Sequence, residues 1–99
     1  MNKFLCQEVI FMIPIDYAMI IFKEEGTYIA YCPELDISSC GNTVEHAKEM
    51  LKTAVRLFVE EANKMGTLDD ILDEARYRKD PSGRWQPPEL IATELVSLS

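Results

Sequence analysis

From Thr43 to Gly66 the chain reads TVEHAKEMLKTAVRLFVEEANKMG, and Val44, Ala47, Leu51, Ala54, Val55, Phe58, Ala62 and Met65 recur at spacings of three and four. At about 100° per residue, that spacing gathers them on one stripe and predicts a long amphipathic helix. Asn42 or Thr43 is its N-cap, and Gly66 ends it in the left-handed conformation that glycine adopts without steric cost. Glu45, Lys48, Glu49, Lys52, Arg56 and Glu60 form the opposite, solvated side. A helix built this way has to bury its stripe against another element. The rest of the chain must supply that element.

The segment before it alternates like a sheet. Residues 8–23 are dense in Val, Ile, Phe, Met and Tyr and are broken at Pro14-Ile15-Asp16, which predicts two strands: an N-terminal extension within residues 1–16 and a strand from Tyr17 to Lys23. Glu24, Glu25 and Gly26 form a turn, and Tyr28 to Cys32 runs back as the second arm of a hairpin. Pro33 has no amide hydrogen to give a ladder, so it ends that strand. A short strand, Leu35 to Ser39, closes at Gly41. Beyond Gly66, Thr67 caps a second, shorter helix through Leu68, Ile71, Leu72 and Ala75. Residues 76–88 read as a loop in which Trp85 folds back on the core, and residues 89–98 as a C-terminal strand.

Three consecutive strands followed by one main helix predict an α+β domain spanning residues 1–99. The sheet is antiparallel, with the extension strand beside it, the helix on one face, and the short helix and C-terminal strand completing the order. Ninety-nine residues support one core, folding removing roughly 60–65% of the extended chain's surface. No separate DNA-binding domain is expected.

Ten basic against seventeen acidic residues leave a net charge of −7, which repels phosphate backbones and argues against direct nucleic-acid binding. The longest apolar run, Val9 to Ile15, falls far short of the ~20 residues of a membrane span. Gln7 and Glu8 interrupt the pattern of a secretory leader, so the cytoplasm is the expected compartment. Three cysteines with no C-x-x-C pair suit reducing surroundings.

Cys6, Cys32, Cys40 and His46 are four candidate zinc ligands by residue type. Their spacings of 26, 8 and 6 positions include no close pair of the zinc-knuckle kind. Cys40 just before a helix, with His46 in its first turn, raises a thiolate–imidazole pair, but no third residue is placed to orient the ring. His46 instead occupies the capping-box position three residues after Thr43, where a neutral imidazole can accept an amide hydrogen. The acidic pairs Glu24/Glu25, Glu60/Glu61 and Asp69/Asp70 diverge on strand or helix, and no phosphate-loop, dinucleotide or nucleophile-elbow motif occurs. No catalytic residue, metal or cofactor is expected, and the chain does not read as an enzyme.

The stretch GTYIAYCPELDISSCGNTVEHAKEMLKTAVRLFVEEA resembles the HicB-like antitoxin family through Tyr28, Ala30, Pro33, Glu34, Leu35, Gly41, Thr43, Ala47, Leu51 and Ala54, over about residues 17 to 75. Tyr28, Pro33, Leu35, Gly41 and Thr43 are the structural signature. The resemblance implies a ββαβ, partial ribonuclease H-like domain that forms homo-oligomers and covers the active site of a small basic mRNA-cleaving ribonuclease toxin, HicA-like. Many members carry an added operator-binding module, which is not expected here. His46 stands where the family usually has an acid. Glu24, Glu25, Glu34 and Asp36, flanking the hairpin and the third strand, are the candidate contacts for that basic partner. The rival expectation is an orphan oligomeric scaffold or small-ligand module without a toxin.

Overall fold

A computed structural model describes residues 13–98. The expected extension strand falls mostly on residues 1–12, outside the described residues. β1 (Ile20–Glu24), β2 (Thr27–Cys32) and β3 (Ile37–Gly41) form an antiparallel sheet in sequence order, with Phe22 opposite Ile29 and Ile29 opposite Cys40. α1 (Val44–Met65) lies on one face against β3 and β2, and α2 (Leu68–Glu74) packs beside it. The molecule is therefore an α+β domain.

Both tight turns of the meander need backbone that most side chains avoid. Glu25 and Gly26 have φ of 47° and 82° at the β1–β2 turn, and Asp36 has φ of 56° at the turn after Pro33. Asp36 tolerates that conformation as a short polar residue does, and its carboxylate accepts a hydrogen bond from the Tyr31 hydroxyl at 2.9 Å.

Thr43 is the N-cap of α1: its backbone is extended and its Oγ1 accepts the His46 amide hydrogen at 3.0 Å. The His46 Nδ1 in turn accepts the Asn42 amide hydrogen at 3.3 Å, one residue ahead of the donor a capping box uses, so the imidazole ties down the chain just before the cap. At the other end Gly66, with φ of 75°, donates to the carbonyls of Ala62 and Asn63. Thr67 occupies the expected N-cap position of α2, but its hydroxyl donates back to the Ala62 carbonyl and not forward into that helix.

The buried stripe of α1 differs from the expected one. Ala47, Leu51, Val55, Val59 and Ala62 are buried, whereas Val44 and Met65 are exposed and Ala54 and Phe58 lie at the margin. Steps of four advance the buried side by about 40° each in a 3.6-residue helix. The first half thus faces the sheet, while Val55 and Val59 turn toward Ile13–Tyr17.

No strand forms over 89–98. Pairing occurs instead inside the expected loop, where β4 (Arg78–Lys79) and β5 (Trp85–Gln86) make a small hairpin. One carboxylate oxygen of Asp80 organises its turn by accepting from the Ser82 amide, the Ser82 hydroxyl and the Arg84 amide. The Ser82 hydroxyl is the largest of the causes that hold the Asp80 carboxyl below its ordinary range. Trp85 is half-buried against the core, as an anchor should be, with the Lys79 ammonium 5.0 Å from its ring centroid.

This hairpin is tied to the segment before β1. Ile15 bridges to Trp85, whose amide donates to the Pro14 carbonyl. Asp16 makes three ties: its amide donates to the Trp85 carbonyl, its carbonyl accepts from the Tyr77 hydroxyl at 2.8 Å, and its carboxylate meets Arg84 at 2.7 Å.

Candidate functional site

The candidate partner-binding acids separate into two groups. Glu24 and Glu25 are exposed at the β1–β2 turn, while Glu34 and Asp36 lie in the β2–β3 turn. The six residues of β2 stand between those turns, roughly 20 Å of strand at ~3.3 Å per residue. No single rim contains all four. Glu34 moreover has a structural job: its two carboxylate oxygens accept the Ala18 amide at 3.1 Å, and one of them also accepts the Cys32 thiol at 3.5 Å. That satisfies a backbone donor at the entrance to β1, a long-range pairing that a list of surface acids does not reveal.

The signature residues fall at junctions. Tyr28 lies near the start of β2 on the helix side, Pro33 starts the turn, and Leu35 packs on the core. Gly41 is buried where β3 meets α1, and Thr43 caps the helix. Gly41 faces the first turn of α1 so closely that a Cβ placed on it would stand 2.6 Å from the Ala47 nitrogen.

The thiols do not converge. Residues paired across an antiparallel ladder project to the same face, so the pairings Cys32–Ile37 and Ile29–Cys40 put Cys32 beneath α1 and Cys40 on the open face. His46 is engaged with Asn42 at the helix start. Among the described residues, no three His, Cys, Asp or Glu side chains gather where a metal ion could be held.

Burial pushes the Cys32 thiol up to about 11 and raises the Tyr77 phenol well above its ordinary value. The folded state then holds protons that the unfolded chain releases, so stability falls as pH rises from about 9 toward 11. Thermal melts are expected to show a midpoint that drops over that window. Cys32→Ala should abolish the part of the decline that begins near pH 9 and leave the tyrosine contribution, which begins near pH 10. A midpoint that stays level or rises over this range is incompatible with a buried, protonated thiol.

The described surface has one groove between α1 and the segment before β1, about 580 Å³ in volume, lined by Ile13, Ile15, Tyr17, Val55 and Val59 with charged groups at its margin. Each of those charges is already paired: Lys52 with Glu49, Arg56 with Glu60, and Arg84 with Asp16. These are exposed or half-exposed pairs that order the margin and contribute little net stability. Tyr17 is held protonated beyond the usual phenol range, chiefly by burial.

The other broad surface is the open face of the sheet. Ile20, Phe22, Ile29 and Tyr31 share it with Cys40, no described helix covers it, and Phe22 is 52% exposed. It carries apolar and aromatic side chains and a single free thiol, a composition suited to association with another macromolecule.

Fold and surface together define the class: a small α+β domain with a three-stranded meander, one helix-covered face and one open apolar face. Comparisons with protein-family models, with curated proteins and with solved structures each return no match. No described helix is long and apolar enough to cross a membrane.

Proposed function

We propose that this domain acts as a HicB-like antitoxin: a cytoplasmic, self-associating protein without enzymatic activity that binds a small basic mRNA-cleaving ribonuclease and covers its active site. The supporting observation is the placement of Pro33, Leu35, Gly41 and Thr43 at the turn, strand end and helix cap of a meander followed by a long helix. This matches the strands and helix of the order the resemblance implies, while no described strand after the helix joins that sheet. The net charge of −7 favours a basic partner by speeding encounter. Of the candidate acids, Glu24 and Glu25 are free to serve that encounter, while Glu34 is committed to Ala18.

The test is co-expression with any small basic protein that is found encoded beside it, read by growth, by co-purification and by RNA cleavage in vitro. Growth should be restored, a complex recovered and cleavage suppressed. Glu24→Lys with Glu25→Lys should slow association and reduce its salt dependence without unfolding the domain. A harmless neighbour, or a complex that still cleaves RNA, rejects the antitoxin reading and leaves the orphan scaffold in its place.

A further inference from the structure

His46 is the chain's single histidine, and imidazole is the side chain whose ordinary charge change falls between about pH 5 and 8. The fold places that one group at the joint between sheet and helix. Its Nδ1 accepts the Asn42 amide hydrogen at 3.3 Å, while its own amide donates to the Thr43 hydroxyl at 3.0 Å. The ring also stands against the end of β3, where a Cβ placed on Gly41 would lie 2.9 Å from the ring Cγ.

We infer that His46 makes the β3–α1 junction an acid-sensitive joint: the neutral ring ties Asn42 to the first turn of α1, and the protonated ring releases it. This joint is independent of toxin binding and of self-association.

The chemistry of the ring decides the direction. An imidazole nitrogen accepts a hydrogen only while unprotonated, so Nδ1 holds Asn42 only in the neutral tautomer that carries its hydrogen on Nε2. Protonation puts a hydrogen on Nδ1, and two donors then face each other across the 3.3 Å that held the bond. The ring has to turn away. The proton also brings a positive charge to the first turn of a helix, where unpaired amides already make the field positive. Both effects oppose the charged form. The stability that the tie contributes is therefore present above the ordinary imidazole range, about pH 6.5, and is lost as pH falls below it.

Neighbouring charges, among the described residues, change this little. On α1, Glu45 and Glu49 attract a cation, but both are exposed and already meet Lys48 at 3.6 Å and Lys52 at 3.3 Å, so lysine and solvent screen them. On the sheet, β3 carries only the Cys40 thiol, on the opposite face. β2 places Tyr28 opposite Gly41, with the Lys23 ammonium 5.5 Å from the phenol ring centroid, a further positive group on that side. The Ala47 amide keeps its bond to the Thr43 carbonyl, and Leu51 and Val55 stay buried one and two turns on. Acid thus loosens the first turn of α1 and leaves the rest of the helix on the sheet.

The experiment follows amide hydrogen exchange by NMR in the full chain and in its His46→Gln variant from about pH 7.5 to about pH 5, each rate divided by the intrinsic rate at that pH, together with the ring signals of His46. Glutamine keeps a neutral acceptor oxygen throughout this range, and the carboxylates titrate alike in both proteins. In the parent the Ala47 amide should lose roughly tenfold in protection, with a midpoint that coincides with the titration of the ring, while the β1–β2 ladder is unchanged. In His46→Gln the Ala47 amide should stay level. Equal losses in the two proteins assign the response to carboxylates and overturn the inference. Protection that rises as the ring becomes charged means that Glu45 and Glu49 outweigh the lost acceptor, and protection that stays level through the ring's titration means that the tie to Asn42 holds nothing; either overturns it. Should the glutamine variant be altered already at the upper pH, the coincidence of ring titration and Ala47 exchange within the parent decides the matter alone.

Discussion

Replacing Leu51 by alanine is expected to lower the unfolding free energy by about 2–5 kcal/mol. Leu51 is fully buried, in the middle of the α1 stripe and among the largest side chains completely removed from solvent. Truncation removes apolar contacts and leaves a cavity, because α1 is fixed at one end by Thr43 and at the other by Gly66 and cannot collapse freely into the space. Domains of this size have only about 5–15 kcal/mol of stability, so the loss is a large fraction of the whole. Urea titration followed by circular dichroism measures it. Leu57→Ala is the matched control, the same change six residues along the same helix at a position 53% exposed, and it should cost within about 0.5 kcal/mol. Equal losses at the two positions would mean that the buried side of α1 has been misplaced.

Gly41→Ala is expected to destabilise by about 1–3 kcal/mol through overpacking. The added methyl carbon would stand 2.6 Å from the Ala47 nitrogen and 2.9 Å from both the His46 carbonyl carbon and ring Cγ. The imidazole can swing aside, but the two backbone atoms cannot without lifting the start of α1 off β3. Hydrogen exchange should therefore quicken in the first turn of α1 while the β1–β2 ladder keeps its protection. Gly66→Ala makes a useful comparison, since nothing lies within 4 Å of a Cβ there and the cost arises only from a φ of 75°, about 1–2 kcal/mol. Its effect should be confined to the far end of the helix. A Gly41→Ala protein as stable as the parent, with unchanged exchange, would show that the junction has room.

Where local chemistry decides the outcome, the fold was legible in the chain. The meander, the break at Pro33, the Thr43 cap and the Gly66 stop each follow from a few adjacent residues whose backbone preferences agree with the final structure. Even the role of His46 as an amide acceptor at the helix start could be read from its offset to Thr43. Features set by distant contacts were less visible. Val59 belongs to the core because α1 changes neighbours along its length, which a fixed stripe does not anticipate. The β4–β5 hairpin depends on Asp80 accepting three local hydrogen bonds, so it sits in a polar stretch that has no apolar alternation.

The candidate site shows the same division. Glu24, Glu25, Glu34 and Asp36 cluster on either side of a hairpin in sequence, but β2 separates them in space. Glu34 is drawn into the framework by the Ala18 amide, a partner sixteen residues away. The open sheet face could be anticipated in part, since Phe22, Ile29 and Tyr31 alternate with the residues beneath α1. Among the described residues no strand or helix lies over it, residues 89–98 forming neither, which no period in that segment announces.

The three ties at Asp16 also bear on chain entropy. Tyr77 and Arg84 lie 61 and 68 residues away from Asp16 along the chain. Closing a loop of that length costs about 2 kcal/mol more than closing one of five or six residues. Because the Tyr77, Arg84 and Trp85 contacts all meet one residue, that closure is incurred once and the later bonds form almost intramolecularly within an already closed ring. Asp16 thus works as a noncovalent staple, joining the segment that enters the sheet to the hairpin that follows the helices.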